Sequence, residues 1–234
     1  MQYTIITTQK DSYGSFLKTG LVARALKKKI IDVKLESLYD YAEDSHRSID
    51  DSPYGGGAGM VLKVDVIDKA LSKLKGRKIL LTPQGKRFTQ KDATRLAKLQ
   101  ELILISGRFE GFDERIRGLV DEEISIGDYV LTSGELAAMV LIEAISRQIP
   151  GFIDRKESIQ SESFSLKIGN SKIENCLEYP QYTRPFEYTP RQARTKRSQK
   201  VPKILISGNH GQVESWRKAQ AEKKTAKIRP DLSN

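Results

Sequence analysis

The feature that most constrains the fold is an alternation of short apolar runs with amphipathic stretches over the first 150 residues. Helical spacing of apolar residues is found at about 15–29, 64–75 and 89–99. Between these stretches lie four β-rich runs: YTIITT (3–8), IIDVKL (30–35), KILLTP (78–83) and LILISG (102–107). Near-continuous apolar strands connected through helices predict an α/β fold, with a mostly parallel sheet and helices on both of its faces.

A long apolar helix and a change of composition follow this region. ELAAMVLIEAISRQ (135–148) has helical spacing and is stopped by Pro150 and Gly151. Residues 152–175 shift to Ser, Lys, Glu and Asn without periodicity, which predicts a linker. KILISGNH (203–210) is strand-like, and a charged helix is predicted from about 212 to 228. We therefore expect a domain boundary near residues 155–175.

Positive charge is concentrated at the C-terminal end. The formal net charge is +10, and residues 176–234 contain 13 Lys and Arg against 5 Asp and Glu, a net of +8. Such asymmetry favours a polyanionic partner, and nucleic acid is the first candidate because neutralising phosphates releases counterions. A basic segment that only improves solubility is the alternative.

Several classes of protein are disfavoured. The chain has no uninterrupted apolar run of about 20 residues and no basic-then-apolar leader, so we expect neither a membrane span nor export. The single Cys176 cannot form an internal disulfide or build a cysteine zinc cluster. A cytoplasmic protein is the resulting expectation.

The glycine-rich stretch DDSPYGGGAGM (50–60) does not match the common phosphate-binding motifs. A Walker A loop needs Lys followed by Ser or Thr after its last glycine, whereas Met60 and Val61 follow here. The dinucleotide fingerprint fails as well, because its sixth position counted from Gly55 is Met60. Two interpretations of this stretch stay open: a tight surface turn, or a loop whose backbone passes close to another surface or an anion.

Three predicted strands end in turns that contain Gly or Pro. The turns are LLTPQG (80–85), LISGRFEG (104–111) and ISIGDYVLTSG (124–134). In open α/β sheets, ligands bind at the carboxyl ends of strands, where such loops meet. The three turns therefore favour a cofactor pocket over simple connections between elements.

Six sequence blocks, in this order along the chain, resemble the signatures of the bacterial tRNA (guanine-N1)-methyltransferase family of the SPOUT superfamily. The blocks are DDSPYGGGAGM (50–60), LTPQGKRFTQ (81–90), LILISGRFEGFDERI (102–116), DEEISIGDYVLTSGELAAMVLIEAISRQIPG (121–151), LEYPQYTRP (177–185) and ISGNHGQVESWR (206–217). The resemblance implies methyl transfer from S-adenosylmethionine to N1 of the tRNA guanosine at position 37, immediately 3′ of the anticodon. It also implies a catalytic SPOUT domain over 1–160 with a deep trefoil knot, a flexible linker over 161–175, and a small, mainly helical, basic tRNA-binding domain over 176–234. Family members are homodimers with active sites at the subunit interface.

The resemblance also implies the roles of individual residues. Glu162 would be the general base and Arg147 the cation near guanine O6. Mg²⁺ dependence is a family trait, although no ligand cluster in the sequence predicts a metal site. Contacts to RNA are implied for Asp50, Arg108, Tyr182, Arg184, Asn209, His210 and Arg217. The cofactor would be held by Leu81, Thr82, Pro83, Gln84, Gly85, Gly107, Phe109, Glu110, Gly111, Ile126, Gly127, Asp128, Tyr129, Val130, Leu131, Ser133 and Gly134.

The chain departs from the family pattern at a few positions. Glu162 stands where the family has Asp, Phe109 where Tyr is usual, and Ser133 where the first of two glycines is usual. The basic RQARTKRSQK (191–200) is longer than its family counterpart, and we expect it to touch tRNA phosphates unless it is only a solvated loop. Two alternatives follow: a catalytically silent RNA-binding protein, or a knotted methyltransferase that acts on ribose 2′-hydroxyls.

Overall fold

The computed structural model describes residues 1–154, 162–165, 176–190 and 198–232. The chain divides into two compact units, Met1–Asp154 and Arg155–Asn234, called unit 1 and unit 2 below. Among the described residues, no helix is both long enough and apolar enough to cross a membrane.

Unit 1 is built on a five-stranded sheet in the order β2-β1-β6-β5-β7, in which every neighbouring pair is parallel. This arrangement confirms the predicted α/β fold with a mostly parallel sheet. A short antiparallel hairpin, β3 with β4, flanks the glycine-rich stretch. The strands are β1 (Gln2–Thr7), β2 (Asp32–Ser37), β3 (Asp50–Asp51), β4 (Val61–Leu62), β5 (Arg77–Arg87), β6 (Glu101–Ser106) and β7 (Glu122–Ser125).

Helices pack against both faces of this sheet. Leu102 and Leu104 of β6 belong to one buried cluster, which includes Leu141 of α5, while Ile103 and Ile105 belong to a second cluster on the other face. Alternate residues of a strand point to opposite faces, so a strand buried on both sides must be apolar throughout. The helices of unit 1 are α1 (Gly14–Lys18), α2 (Gly20–Lys27), α3 (Val64–Ser72), α4 (Gln90–Leu96) and α5 (Glu135–Ser146).

One helix prediction in unit 1 was wrong in detail. The stretch 15–29 forms two helices, because Thr19 is extended (φ −128°, ψ 159°) and Gly20 has φ +65°. Glycine tolerates that left-handed conformation, and a second helix begins at this residue. The predicted helices near 64–75, 89–99 and 135–148 are confirmed as α3, α4 and α5, each somewhat shorter than expected.

Unit 2 contains one long helix, α6 (His210–Ile228), and a two-stranded antiparallel pair, β8 (Glu187–Tyr188) with β9 (Gln199–Lys200). The strand predicted at 203–210 was wrong: Lys203–Ile206 is a 3₁₀ turn, in which Leu205 N–H donates to Pro202 O at 3.0 Å. The three-residue apolar run Ile204–Ile206 has no periodicity that distinguishes a strand from a helical turn. A small buried cluster of Cys176 and Ala221, with Tyr179 packed on it, joins α6 to the segment before it.

Candidate functional site

A cavity of about 390 Å³ opens in unit 1 at the carboxyl ends of β6 and β7 and beside residues 80–84 of β5. Fifteen of the seventeen residues predicted to hold a cofactor line it, and the two that do not are Gly85 and Asp128. Arg108, predicted to contact RNA, lines the same cavity. The structure therefore brings the three predicted turns together at one place.

The first turn leaves the sheet as an insertion in β5. Leu81 and Lys86 both pair with Ile124 of β7, so residues 82–85 loop out between them. Such a bulge redirects the chain without ending the strand pairing. As a result, Thr82, Pro83 and Gln84 form part of the cavity wall at this insertion.

The second and third turns are joined to each other by backbone contacts. Gly134 N–H donates to Gly107 O at 2.8 Å, and Arg108 forms an antiparallel bridge with Ser133. A Cβ on Gly134 would lie 2.7 Å from Gly107 N, closer than real Cβ contacts come. Only glycine fits at position 134 while the two turns keep this spacing.

Buried hydroxyl groups fix the strand ends beneath these turns. The Tyr13 hydroxyl is 3.2 Å from Ser106 Oγ, and burial raises the pKa of Tyr13, so this phenol stays protonated. Thr7 Oγ1 donates to Glu135 Oε1 at 2.7 Å, and Glu135 is only 2% exposed. These contacts hold the residues that precede Gly107 and follow Gly134.

The carboxylates around the cavity differ in their pairing. Arg115 donates to both oxygens of Asp113, at 2.9 and 2.7 Å, and this hydrogen bonding holds the pKa of Asp113 below its usual range. Arg117 contacts Glu114 at 2.7 Å, and also Glu123 and Gln84. Within the part of the chain that the structure describes, Glu110 has no ion-pair partner. Glu110 is therefore the cavity carboxylate available to a cationic ligand.

The glycine-rich stretch lies against this carboxylate. Glu110 N–H donates to Met60 O at 3.0 Å, and Leu62 N–H donates to Gly111 O at 2.9 Å. Gly59 has φ +79°, and a Cβ there would lie 2.5 Å from Glu110 Cγ. Both interpretations of this stretch hold in part: residues 53–56 form a surface turn, in which Gly56 N–H donates to Pro53 O at 3.2 Å, and Gly59 passes close to Glu110. Asp50 lies half-buried at the start of this hairpin, opposite Leu62, and is not among the cavity-lining residues.

The two predicted catalytic residues lie in different units. Arg147 is the C-cap of α5, half-buried, with its N–H donating to Glu143 O at 3.1 Å. The opposite end of α5 lines the cavity as far as Ala137, so ten residues of helix separate Arg147 from it by roughly 15 Å. Arg147 does not line the cavity of its own chain. Glu162 lies half-buried in unit 2, in a turn closed by Ser165 N–H donating to Glu162 O at 3.1 Å.

Unit 2 has a cavity of its own, of about 440 Å³, that collects three of the residues predicted to contact RNA. Tyr182, Arg184 and Arg217 line it together with Phe186, and the Arg217 guanidinium lies 4.8 Å from the centre of the Tyr179 ring. Tyr182 is 49% exposed and Phe186 is 42% exposed. Exposed rings beside guanidinium groups can stack on nucleobases and contact phosphates.

The remaining RNA predictions lie at the start of α6 or outside the described residues. Asn209 is the N-cap of α6, and its side chain accepts from Gln212 N–H at 3.1 Å, so it has a structural role there. His210 is exposed at the first position of the helix. Neither residue lines the unit 2 cavity. Of the basic RQARTKRSQK segment, residues 191–197 lie outside the described residues, as does most of the predicted linker at 161–175.

A Mg²⁺ site needs several oxygen ligands grouped together. Within 1–154, 162–165, 176–190 and 198–232, no three His, Cys, Asp or Glu side chains are grouped so as to hold a metal ion. The described residues therefore do not form a Mg²⁺ site by themselves.

The sequence reasoning missed some of the cavity wall. Phe112, Asp113, Glu114 and Arg117 line it although they follow the second turn rather than belong to it. The charge pattern of FDERIR (112–117) could have indicated these residues, because its charged side chains cluster at one short 3₁₀ helix.

Comparisons with known proteins agree on one family. The family model described as tRNA (Guanine-1)-methyltransferase TrmD matches residues 1–234. A tRNA (guanine-N(1)-)-methyltransferase of Mycoplasmopsis synoviae (strain 53) is 46% identical, over 99% of this chain and 96% of the relative. Proteins of the same name from Persephonella marina and Geobacter sulfurreducens are 44% and 43% identical, each over 99% of this chain and over 87% and 91% of the relative.

Proposed function

The chain belongs to the tRNA (guanine-N1)-methyltransferase family, and we propose that it transfers a methyl group from S-adenosylmethionine to N1 of guanosine 37. The observation that carries this proposal is the unit 1 cavity, where fifteen predicted cofactor residues converge. We further propose that its three turns, 80–85, 104–111 and 124–134, form the trefoil knot of the SPOUT fold. Because the substrate is tRNA, the proposed place of action is the cytoplasm.

The cavity suits S-adenosylmethionine in shape and in charge. Backbone groups of the turns that contain Gly107, Ile126 and Gly134 can bind the adenine and ribose. At the glycines no side chain stands between the backbone and a flat ring. The carboxylate of Glu110 can take a positively charged group of the ligand. When bound, this cofactor supplies an electrophilic methyl group carried on a sulfonium.

The protein's part in the chemistry concerns one proton and one developing charge. Guanine N1 carries a proton, so methylation there requires a base, and electron density moves toward O6 as that proton leaves. We assign the base to Glu162 and the stabilising cation to Arg147, whose planar fork of donors suits O6. A glutamate has the same carboxylate and similar basicity as the aspartate found in the family.

Arg147 is proposed to act on the cavity of a second copy of the chain. It lies roughly 15 Å along α5 from Ala137, which lines the cavity of its own chain. Leu136 and Val140, 58% and 46% exposed, occupy the same face of α5 as Arg147, at helical spacing. Exposed apolar side chains in line with a functional arginine support a homodimer that covers this face.

We propose that unit 2 contributes tRNA binding. Its net charge of +8 from residue 176 onward supplies attraction for phosphates, and its cavity presents Tyr182, Phe186 and two arginines. Asp50, at the hairpin beside the glycine-rich stretch, is proposed to lie near the target base. Mg²⁺ dependence is kept as a family expectation, and no step of the mechanism is assigned to a metal.

A methylation assay tests the proposed activity. A tRNA transcript with guanosine at position 37 should accept a methyl group from S-adenosylmethionine, whereas the same transcript with adenosine there should not. Equal incorporation would refute the site assignment. Titration calorimetry with S-adenosylmethionine separates this enzyme from a silent RNA-binding protein, which would give no heat of binding.

Mixed dimers test the placement of Arg147. Arg147→Ala alone should lower turnover by about 10²–10³-fold while the cofactor still binds. Co-refolding Arg147→Ala chains with Glu110→Ala chains should restore about a quarter of the wild-type rate, because half of the dimers then contain one complete site. No recovery would mean that Arg147 acts within its own chain.

A further inference from the structure

The turn that carries Glu162 has an unusual backbone. Residues 162–165 form a turn closed by Ser165 N–H donating to Glu162 O at 3.1 Å. Its third residue, Phe164, has φ +68°, a left-handed conformation that glycine usually supplies at that position. A bulky residue persists there only when its surroundings fix it.

Those surroundings belong to unit 2. Phe164 N–H donates to Cys176 O at 3.0 Å, and Glu178 N–H donates to Ser163 Oγ at 3.1 Å. The strand-like segment 176–178 is in turn fixed to α6, since Leu177 N–H donates to Thr225 Oγ1 at 2.9 Å. Ser163 and Phe164 are therefore hydrogen-bonded to the segment 176–178, which is itself hydrogen-bonded to α6 of unit 2.

The Phe164 side chain makes a third contact, with the end of α6. The Arg229 guanidinium lies 5.7 Å from the centre of the Phe164 ring, within the range of a cation–π interaction. Arg229 is held in place by Asp231, to which it donates two hydrogen bonds of 2.8 and 2.6 Å. The ring of Phe164, 37% exposed, thus packs against an oriented cation.

From this geometry we propose that Phe164 and Arg229 are positioning residues, which hold the Glu162 carboxylate as part of the tRNA-binding unit. The carboxylate then keeps a fixed position relative to α6 and to the residues proposed to bind RNA. Removal of the guanine N1 proton therefore depends on how unit 2 binds tRNA. This inference rests on the proposed role of Glu162 as the general base. It adds that the orientation of the base is set by a ring–guanidinium contact outside the cavity.

Single variants test the expected pattern of rate loss. Phe164→Gly keeps the left-handed backbone but removes the ring, and Arg229→Gln removes the cation, so each should lower kcat about tenfold. The KM values for tRNA and for S-adenosylmethionine should change less than twofold, because neither residue is proposed to touch a substrate. Arg229→Lys, which keeps a cation, should recover part of the rate. Lys227→Gln is the matched control: it removes one exposed charge two residues earlier and should leave kcat within twofold.

A double-mutant cycle decides whether the effect passes through Glu162. In a Glu162→Gln background the loss from Phe164→Gly should vanish, because there is no longer a base to position. A further tenfold loss in that background would overturn the inference, as would Phe164→Gly and Arg229→Gln enzymes with wild-type kcat. Full activity of Glu162→Gln alone would instead overturn the proposed function of Glu162, so the two failures can be told apart.

Discussion

The two units differ in where they keep their apolar side chains. Unit 1 buries two large clusters, one on each face of its sheet, and its cavity walls continue directly from the buried strands. In the described part of unit 2, the buried cluster is Cys176 and Ala221 with Tyr179, while Tyr182, Phe186 and Tyr188 remain exposed. Unit 1 therefore builds a site from its own core, and unit 2 presents a surface whose aromatic groups are available to a partner.

We therefore expect the two units to respond differently to mutation. A change near the cavity must be absorbed by close-packed backbone, so it should cost stability and cofactor binding together. A change on the exposed surface of unit 2 should alter tRNA binding with little effect on folding. Four experiments test this difference between the units.

The largest effect is expected at the contact between the second and third turns. Gly134→Ala would place a methyl group 2.7 Å from Gly107 N and should lower the free energy of unfolding by about 3 kcal/mol. Binding of S-adenosylmethionine should weaken in parallel. Gly118→Ala is the matched control, since a Cβ there meets nothing within 4 Å. Equal urea midpoints for the two variants would show that the turns are not close-packed.

A smaller effect is expected where the glycine-rich stretch meets Glu110. Gly59→Ala should displace the Glu110 side chain and weaken S-adenosylmethionine binding by about tenfold, or 1.4 kcal/mol. Gly56→Ala carries the same backbone strain, with φ +80° against +79°, but its Cβ would meet no atom within 4 Å. Calorimetry should therefore separate the two variants. Equal affinities would remove Glu110 from cofactor binding.

Acid should destabilise unit 1 through an ion-pair network on its sheet edge. Hydrogen bonds from Arg95 and then Arg77 hold the pKa of Glu122 below its usual range, and the side chain is only 18% exposed. A carboxyl whose pKa is lower in the folded state stabilises the fold above its unfolded pKa, and this stability is lost as pH falls through the folded pKa.

The free energy of unfolding should therefore fall by about 1 kcal/mol from this group as the pH drops below about 4. Denaturation of Glu122→Gln should show a shallower loss over the same pH range. If Glu122→Gln loses stability at low pH as the wild type does, other carboxylates cause the destabilisation. The first candidate is Asp92, whose pKa is held below its usual range by Thr89 and Lys86 against the effect of burial.

The smallest effect is expected on the surface of unit 2. Arg184→Gln should weaken tRNA binding about threefold and reduce the slope of log affinity against log salt by about 1, without changing the thermal midpoint. Lys34→Gln, an exposed charge on β2 of unit 1, is the control and should leave the slope unchanged. A smaller slope for both variants would mean that the whole chain, rather than unit 2, attracts the RNA.

Much of this architecture could be read from the sequence. Leu102–Ile105 of the run LILISG are apolar at consecutive positions because both faces of the sheet are buried, and such near-continuous apolar runs predicted parallel strands. The residues of the three turns were also predictable, since Gly and Pro at strand ends precede ligand sites in α/β sheets. The break at Thr19 and the turn at Lys203–Ile206 were not, because short runs fit more than one local structure.

The fold class, the family and fifteen of the cavity-lining residues could be predicted from the sequence, because strand periodicity and ordered motifs are local properties. How these residues are arranged in space is seen only in the folded chain. It showed that Glu110 lies against Gly59, and that Arg147 lies at the far end of α5 from its own cavity. It also showed Ser163 and Phe164 bound to the segment before α6. Such relations join residues distant along the chain, and they depend on packing that no local pattern records.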